Sequence, residues 1–235
     1  MGVPTELVIF DCDGVLVDSE RLAVRVESRL LGELGWHLTE QDVVDRFVGR
    51  SDAYMLEQIE TTLGRPVPEW RERYQHELHR SFRCELTVVP GVEQALDALT
   101  IPSCVASSGT HEKMQLTLGL TGLFERFEGR IFSTTDVARG KPAPDLFLHA
   151  AACSGVAPER CVVVEDSRFG VEAARAAGMR SFGFAGGLSS AESLAGPGTT
   201  VFSDMADLGA LIGVGQVGTA QAGSSLSDPS RRSGS

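Results

Sequence analysis

Apolar and polar positions divide this chain into an opening strand, a helical segment and a longer region in which strands and helices alternate. The apolar run at 7–10 predicts a short buried strand. Between about residues 18 and 86, apolar residues recur at helical spacing, as Leu22, Val26 and Leu30 do on one predicted helix face. The pattern therefore predicts a set of helices inserted directly after the first strand.

Residues that commonly cap helices predict where the helices of this insertion begin and end. Thr39 and Asp42 resemble a capping box that opens the second helix. Ser51 could cap a third helix that ends at Gly64, and Pro68 is expected to open a fourth, long and charged helix. We therefore expect a compact helical unit rather than a loop.

The alternation of strands and helices after the insertion is typical of a parallel sheet covered by helices. Strands are predicted at 103–106, 130–133, 161–164, 180–184 and 200–202. Helices are predicted at 91–100, 110–120, 144–154 and 170–177. Because ligands of such sheets bind at the carboxyl ends of the strands, polar residues at those ends are the candidates for chemistry.

Two aspartates, Asp11 and Asp13, follow the first predicted strand and are followed by Gly14. Side chains alternate across a strand, so both carboxylates can face one site while Cys12 points the other way. One carboxylate could attack an electrophile while the other moves a proton, and both could lie beside a hard cation. A solvated loop that caps the next helix is the alternative.

Three later segments carry polar groups at a strand end or just before a helix. Ser107 and Ser108 follow a predicted strand, where a hydroxyl and backbone N–H groups suit a phosphoryl oxygen, although an ordinary helix cap uses the same residues. Lys141, one of only two lysines, lies between glycine and proline in a constrained loop. Glu165 and Asp166 close another buried strand, where adjacent acids are costly unless a cation or hydrogen bonds compensate them.

In this order, the four segments resemble motifs I to IV of the haloacid dehalogenase superfamily in its phosphatase and phosphomutase form, over about residues 5–205. The resemblance implies an α/β fold with a Rossmann-like parallel-sheet core, residues 1–16 and 88–212, and an inserted α-helical cap, residues 17–87. Residues 213–235 are rich in Gly, Ser and Gln and are expected to form a disordered tail.

The resemblance also implies roles for the residues that match the motifs. Asp11 would be the nucleophile that becomes an aspartyl-phosphate, and Asp13 the general acid and base. Lys141 would neutralise the reacting groups, and Ser107 and Ser108 would bind the phosphoryl oxygens.

The same resemblance implies Mg²⁺ as cofactor. Its ligands would be the Asp11 carboxylate, the Asp13 main-chain carbonyl and Asp166, with Glu165 acting directly or through a hydrogen bond. We therefore expect phosphoryl transfer on a small phosphorylated sugar, sugar acid or polyol, in the branch that contains 6-phosphogluconate phosphatase and β-phosphoglucomutase.

Substrate choice would belong to the cap and to the helix after motif II. The loop at 47–52 resembles the family's specificity loop, which makes Arg50 a candidate ligand of an anionic or hydroxylated group, although an exposed structural arginine is an equal alternative. His111 could also reach the substrate or remain a solvated first-turn histidine.

A mutase remains the alternative to a phosphatase. β-Phosphoglucomutases carry a histidine in the first cap helix and an arginine in the specificity loop, and ungapped alignment places Ala23 and Asp52 at these positions. Alanine cannot move a proton and aspartate would repel a phosphate. The sequence therefore favours hydrolysis, although Arg50 could compensate for the missing arginine.

Composition sets the broad class of protein. A length of 235 residues with 42% hydrophobic content suits one domain plus an insertion, and a net charge of −11 argues against a nucleic-acid surface. The five cysteines lack zinc or disulfide spacing, which fits a reducing compartment, and no apolar run is long enough to span a membrane. We expect a soluble cytoplasmic enzyme, a monomer or weak homodimer, whose partner is a small phosphorylated metabolite.

Overall fold

A computed structural model describes residues 3–48 and 52–217, and its centre is a sheet of six parallel strands. The strands are β1 Leu7–Phe10, β2 Ser103–Ser107, β3 Ile131–Ser133, β4 Cys161–Glu165, β5 Arg180–Phe184 and β6 Thr199–Phe202. Each predicted strand is present, with its ends within one residue of the expected positions. The predicted Rossmann-like α/β fold is confirmed.

The strand order is β3-β2-β1-β4-β5-β6, which makes β1 a central strand. From β1 the chain first builds outward through β2 and β3, and then returns to add β4 on the other side. The order therefore reverses between β1 and β4. The carboxyl ends of these two strands form the switch point at which ligands of open α/β sheets bind.

The described residues contain eleven α-helices in addition to the sheet. They are α1 Ser19–Glu33, α2 Glu40–Phe47, α3 Asp52–Leu63, α4 Trp70–Glu85, α5 Val92–Ala98, α6 His111–Leu120, α7 Phe124–Phe127, α8 Asp145–Cys153, α9 Arg168–Ala176, α10 Ala191–Leu194 and α11 Leu208–Val217. The helices α1 to α4 form the inserted cap, and the others belong to the core.

Both faces of the sheet are covered, which explains why β1 is buried along its whole length. Val8 and Phe10 face an apolar cluster that includes residues of α5, α6 and α11. Leu7 and Ile9 face a second cluster built with α8 and α9. This alternation holds the strand rigidly in the sheet and leaves the residues after Phe10 at the edge of the core.

The cap has an apolar cluster of its own, in which Leu30, Val43, Ile59 and Trp70 from four helices are buried together. The predicted capping box of α2 is present, because Thr39 Oγ1 accepts from the Asp42 N–H at 3.1 Å and the Asp42 carboxylate accepts from the Thr39 N–H at 2.9 Å. These interactions make the cap a packed unit over the sheet edge rather than a flexible loop.

Some predicted element limits need correction. The helix α4 begins at Trp70 and not at Pro68, because the Trp70 N–H still bonds the Val67 carbonyl oxygen in a preceding turn. The last helix was not predicted and runs to Val217, so residues 213–217 of the expected tail are helical. Its apolar residues Leu208 and Ile212 are buried against the sheet. Ser51 and residues 218–235 lie outside the described residues.

The helices α7 and α10 were also missed, since four residues are too few to show helical periodicity. No helix in the described ranges is both long and apolar enough to cross a membrane.

Candidate active site

Polar side chains from four parts of the core converge at the carboxyl edge of the sheet, beneath the cap. They line a cavity of about 410 Å³. The predicted residues that line this cavity are Asp11, Asp13, Ser107, Ser108, Lys141, Glu165 and Asp166. They come together because β1, β2 and β4 are neighbours and parallel, so their carboxyl ends meet.

Lys141 lies at the floor of this cavity, and its side chain is only 4% exposed. Its Nζ donates hydrogen bonds to Asp11 Oδ1, to Glu165 Oε1 at 2.7 Å and to the Ala106 carbonyl oxygen at 3.1 Å. Burial disfavours the charged amine, but the two carboxylates outweigh it and raise the pKa of Lys141 above its usual value. The ammonium therefore stays charged beside Asp11.

Asp11 has an unusual electrostatic environment for an aspartate. Burial raises its pKa to about 7, Lys141 opposes this rise, and the charges of Glu165 and Asp13 add to it. The Asp11 N–H is bonded to the Val164 carbonyl oxygen at 2.9 Å, which anchors its backbone to β4. The carboxylate is thus held in place but is incompletely neutralised by the protein alone.

Asp13 is paired differently, with two residues to which the sequence assigned no role. Lys113 Nζ donates to Asp13 Oδ2 at 2.8 Å, and Ser19 Oγ donates to Oδ1 at 2.5 Å. Although burial alone would raise it, these partners lower the pKa of Asp13 below its usual value. The only sequence signal for Lys113 is the scarcity of lysine, since both lysines of the chain reach this cavity.

Asp166 lies opposite Glu20, another cavity residue that the sequence did not single out. Burial, followed by the charge of Glu20, raises the pKa of Asp166 well above its usual value, and burial raises that of Glu20 to about 7. Among the described residues neither Asp166 Oδ2 nor Glu20 Oε2 has a hydrogen-bond partner. Such buried, unsatisfied carboxylate oxygens are expected where a ligand completes the site.

Gly14 leaves room for the carboxylate of Asp166. It has a φ of 74°, and a Cβ atom at this position would lie 2.0 Å from Asp166 Oδ2. No side chain fits there without moving Asp166. The glycine after the two aspartates therefore serves both the turn and the close approach of Asp166, the residue that follows β4.

The site has an excess of negative charge, because two lysines face the carboxylates of Asp11, Asp13, Glu20, Glu165 and Asp166. Within the described ranges, no three acidic, histidine or cysteine side chains form a complete metal-ligand group. The expected Mg²⁺ ligands need only two side chains and one main-chain carbonyl, since Mg²⁺ keeps several waters. The unsatisfied Asp166 oxygen and the excess charge fit a hard divalent cation.

Ser107 and Ser108 lie where β2 ends and before α6 begins. Ser107 is buried, and its Oγ accepts from the Gly109 N–H at 3.1 Å, which leaves the hydroxyl hydrogen free to donate. Thr110, and not either serine, caps α6 by accepting from the Lys113 N–H. The alternative of an ordinary helix cap therefore does not apply to the two serines.

Of the two predicted substrate residues, only His111 lies within the described residues. His111 is half exposed, does not line the cavity, and lies 2.9 Å from Asp136 Oδ1 through its Nε2. A solvated histidine within hydrogen-bond distance of Asp136 is the better description of this position. Arg50 lies outside the described residues.

The cap closes the cavity with mostly apolar side chains. Val24, Phe47, Tyr74, Leu78 and Phe82 line this wall, together with Glu27. Ala23 also lines it, so a methyl group occupies the position at which mutases were expected to carry a histidine. At Ala23 the cap wall thus contributes shape, and not the proton carrier that a histidine would supply.

The fold and the site together define a class of α/β enzymes. In this class, a helical cap covers a carboxylate site at the switch point of a parallel sheet. A family model for haloacid dehalogenase-like hydrolases matches residues 8–184. The chain belongs to this family.

Individual relatives support the same assignment. The chain is 36% identical to 6-phosphogluconate phosphatase from Escherichia coli, over 76% of this chain and 82% of the relative. It is 31% identical to beta-phosphoglucomutase from Bacillus subtilis, over 75% and 81%. The crystal structure of a haloacid dehalogenase-like protein from Agrobacterium tumefaciens superposes with a TM-score of 0.82 at 41% identity, over 89% of this chain and 98% of the other. Within the family, the chain is an enzyme of the phosphoric monoester hydrolase class.

Proposed function

We propose that this enzyme is a Mg²⁺-dependent phosphatase that hydrolyses a small phosphorylated sugar, sugar acid or polyol through an aspartyl-phosphate on Asp11. The observation that carries the proposal is the arrangement around Asp11. Its buried carboxylate is held by Lys141 and lies in one cavity with the separately oriented Asp13. A nucleophile and a proton carrier are thus in place for two successive steps.

Asp13 takes up a proton as the phosphate binds, because the added negative charge raises its pKa. In the first step, Asp11 attacks phosphorus in line with the leaving oxygen, and Asp13 donates this proton to the leaving alkoxide. Lys141 and Ser107 hold the equatorial oxygens of the phosphoryl group, whose charge they balance. Mg²⁺ would be held by the Asp11 carboxylate, the Asp13 main-chain carbonyl and Asp166. It would neutralise the remaining negative charge of the Asp11 carboxylate and of the phosphoryl group.

In the second step, Asp13 accepts a proton from the water that hydrolyses the aspartyl-phosphate. Inorganic phosphate is released and Asp11 is regenerated as a carboxylate. The cap, with its apolar wall, would exclude bulk water during transfer and open to release the product.

The substrate class is supported by the size of the cavity and by the relatives. A volume of about 410 Å³ lies at the lower end of the range for small-molecule sites. The relative from Escherichia coli is named for a phosphorylated sugar acid. We propose a substrate of similar size, with its phosphate at the core and its carbon chain against the cap.

Cellular context is part of the proposal. All five cysteines are free thiols, which supports a cytoplasmic location. We further propose a monomer or weak homodimer, to be measured by light scattering coupled to size-exclusion chromatography.

The test is phosphate release from a panel of phosphorylated sugars, sugar acids and polyols, with the enzyme first stripped of metal and then titrated with Mg²⁺. We expect activity to require Mg²⁺ and to be absent in Asp11→Asn. Rapid isomerisation of β-glucose 1-phosphate that depends on a bisphosphate primer, with little free phosphate, would instead show a mutase. Activity that persists in Asp11→Asn would contradict the nucleophile.

A further inference from the structure

The contacts of Asp13 point to a role for Lys113 that deepens the proposed function and rests on it. We infer that Lys113 is a positioning residue that holds the Asp13 carboxylate in the orientation for proton transfer. Of the two groups that orient the proton carrier, Lys113 comes from the core and Ser19 comes from the first helix of the cap.

Both carboxylate oxygens of Asp13 have partners, and the two partners differ. Lys113 Nζ lies 2.8 Å from Oδ2, and Ser19 Oγ lies 2.5 Å from Oδ1. Two bonds to different oxygens fix the plane of the carboxylate as well as its position. Neither bond involves the main-chain carbonyl oxygen of Asp13. The side-chain carboxylate can therefore be oriented by Lys113 and Ser19 while a cation binds the main-chain carbonyl.

The backbone of Lys113 is itself held firmly. Its N–H is bonded to Thr110 Oγ1 at 3.3 Å and its carbonyl oxygen accepts from Thr117 Oγ1 at 3.1 Å. The lysine side chain passes beside Gly109, where a Cβ atom would lie at ordinary contact distance, 3.4 Å from Lys113 Cδ and 3.7 Å from Asp13 Oδ2. The lysine is therefore set in a defined path toward Asp13.

The position of this lysine is not explained by the stability of its own helix. Lys113 lies in the first turn of α6, where the helix dipole disfavours a cation and favours an acid. The side chain is about two-thirds covered and its charge is directed at Asp13 rather than at solvent. A lysine in this place makes physical sense through its contact with the active-site carboxylate.

The location of Lys113 has a mechanistic consequence. α6 packs on the sheet through Met114 and Leu118, so Lys113 moves with the core. The cap residue Ala23 offers no proton-bearing group to Asp13. The bond from Lys113 to Asp13 Oδ2 would consequently persist whether the cap is open or closed, whereas the bond from Ser19 belongs to the first cap helix. A core partner that stays in place favours attack by water on the phosphoenzyme over retention of the phosphoryl group for a second sugar.

The experiment compares Lys113→Met, Lys113→Arg and Ser19→Ala with wild type, using p-nitrophenyl phosphate and glycerol phosphate in the presence of Mg²⁺. The aryl leaving group needs little acid assistance, so Lys113→Met should still phosphorylate Asp11 but hydrolyse it slowly. We expect a pre-steady-state burst of p-nitrophenolate and a steady-state kcat about 10²-fold lower, with a lowered KM and a nearly unchanged kcat/KM, because kcat/KM reports the phosphorylation step. With glycerol phosphate both steps should slow, and no burst should appear.

Lys113→Arg should restore kcat to within about tenfold of wild type, and Ser19→Ala should give a smaller burst of the same kind. Glu112→Gln, on the same exposed turn, alters local charge without contacting Asp13 and should behave as wild type. A rise in KM without a burst would overturn the inference in favour of substrate binding, and so would wild-type kinetics in Lys113→Met. Absence of phosphate release from both substrates in wild type would overturn the proposed function as well.

Discussion

Replacing Asp11, the proposed nucleophile, should make the metal-free protein more stable while abolishing its activity. In Asp11→Asn the amide keeps the size of the carboxyl and can still accept from Lys141, which retains its bond to Glu165. The variant loses only the negative charge, which is buried among other carboxylates. Removing it relieves desolvation and repulsion in the metal-free protein.

The pKa of Asp11 gives the size of this effect. A rise from 3.8 to about 7 corresponds to roughly 4 kcal/mol of unfavourable free energy for the ionised form, at about 1.4 kcal/mol per pKa unit. Because neighbouring acids share part of this cost, we expect a gain of about 1–4 kcal/mol above pH 7. For a chain of this length, each kcal/mol raises Tm by roughly 2–4 °C.

Thermal unfolding with a chelator at about pH 8 measures the effect, because the wild-type carboxylate is then ionised. Asp42→Asn is the matched control, since hydrogen bonds from Thr39 lower the pKa of Asp42, and the same substitution should there leave Tm equal or lower. A lower Tm in Asp11→Asn than in wild type would refute the electrostatic reasoning. Measurable turnover in the variant would refute the role of Asp11.

Three further predictions follow from the same structure. Lys141→Met should lower kcat at least ~10²-fold, because one preorganised cation is lost from the transition state, and a change in KM alone would indicate simple substrate binding. Burial raises the pKa of both Asp11 and Glu20 to about 7, so the folded protein binds more protons than the unfolded chain between about pH 4 and 7. The metal-free protein should therefore lose stability as pH rises through this window, and Mg²⁺ should raise Tm more at about pH 8 than at about pH 5; an equal rise would contradict the site's charge balance. Deleting residues 218–235, which are rich in Gly and Ser, should leave Tm and kcat nearly unchanged in the same assays, and a large fall in either would show that they pack.

The fold and the core of the site were predictable because they depend on short-range patterns. The strand before Asp11 is apolar throughout, and the polar residues of three motifs lie directly at strand ends, so a parallel sheet brings them together. Gly14 could be predicted for its turn. Its second role, giving room to Asp166, depends on a contact between residues far apart in sequence and needed the structure.

The sequence did not predict residues whose role depends on a contact with another side chain across the cavity. Lys113 has the pattern of a solvated first-turn residue until its distance to Asp13 is known. Glu20 has the pattern of a helix-favouring acid, and only burial beside Asp166 distinguishes it. His111 shows the converse, because its position after motif II suggested substrate contact while its ring pairs with Asp136 outside the cavity.

The central claim, a covalent phosphoenzyme on Asp11, is tested most directly by mass spectrometry of Asp13→Asn during turnover of an aryl phosphate with Mg²⁺. This variant should form the aspartyl-phosphate but lack the base for its hydrolysis. After acid quench, we predict that most of the protein gains the mass of one phosphoryl group, located on the peptide that contains Asp11. An unmodified protein after release of the aryl alcohol, or a phosphoryl group on any other residue, would contradict the account.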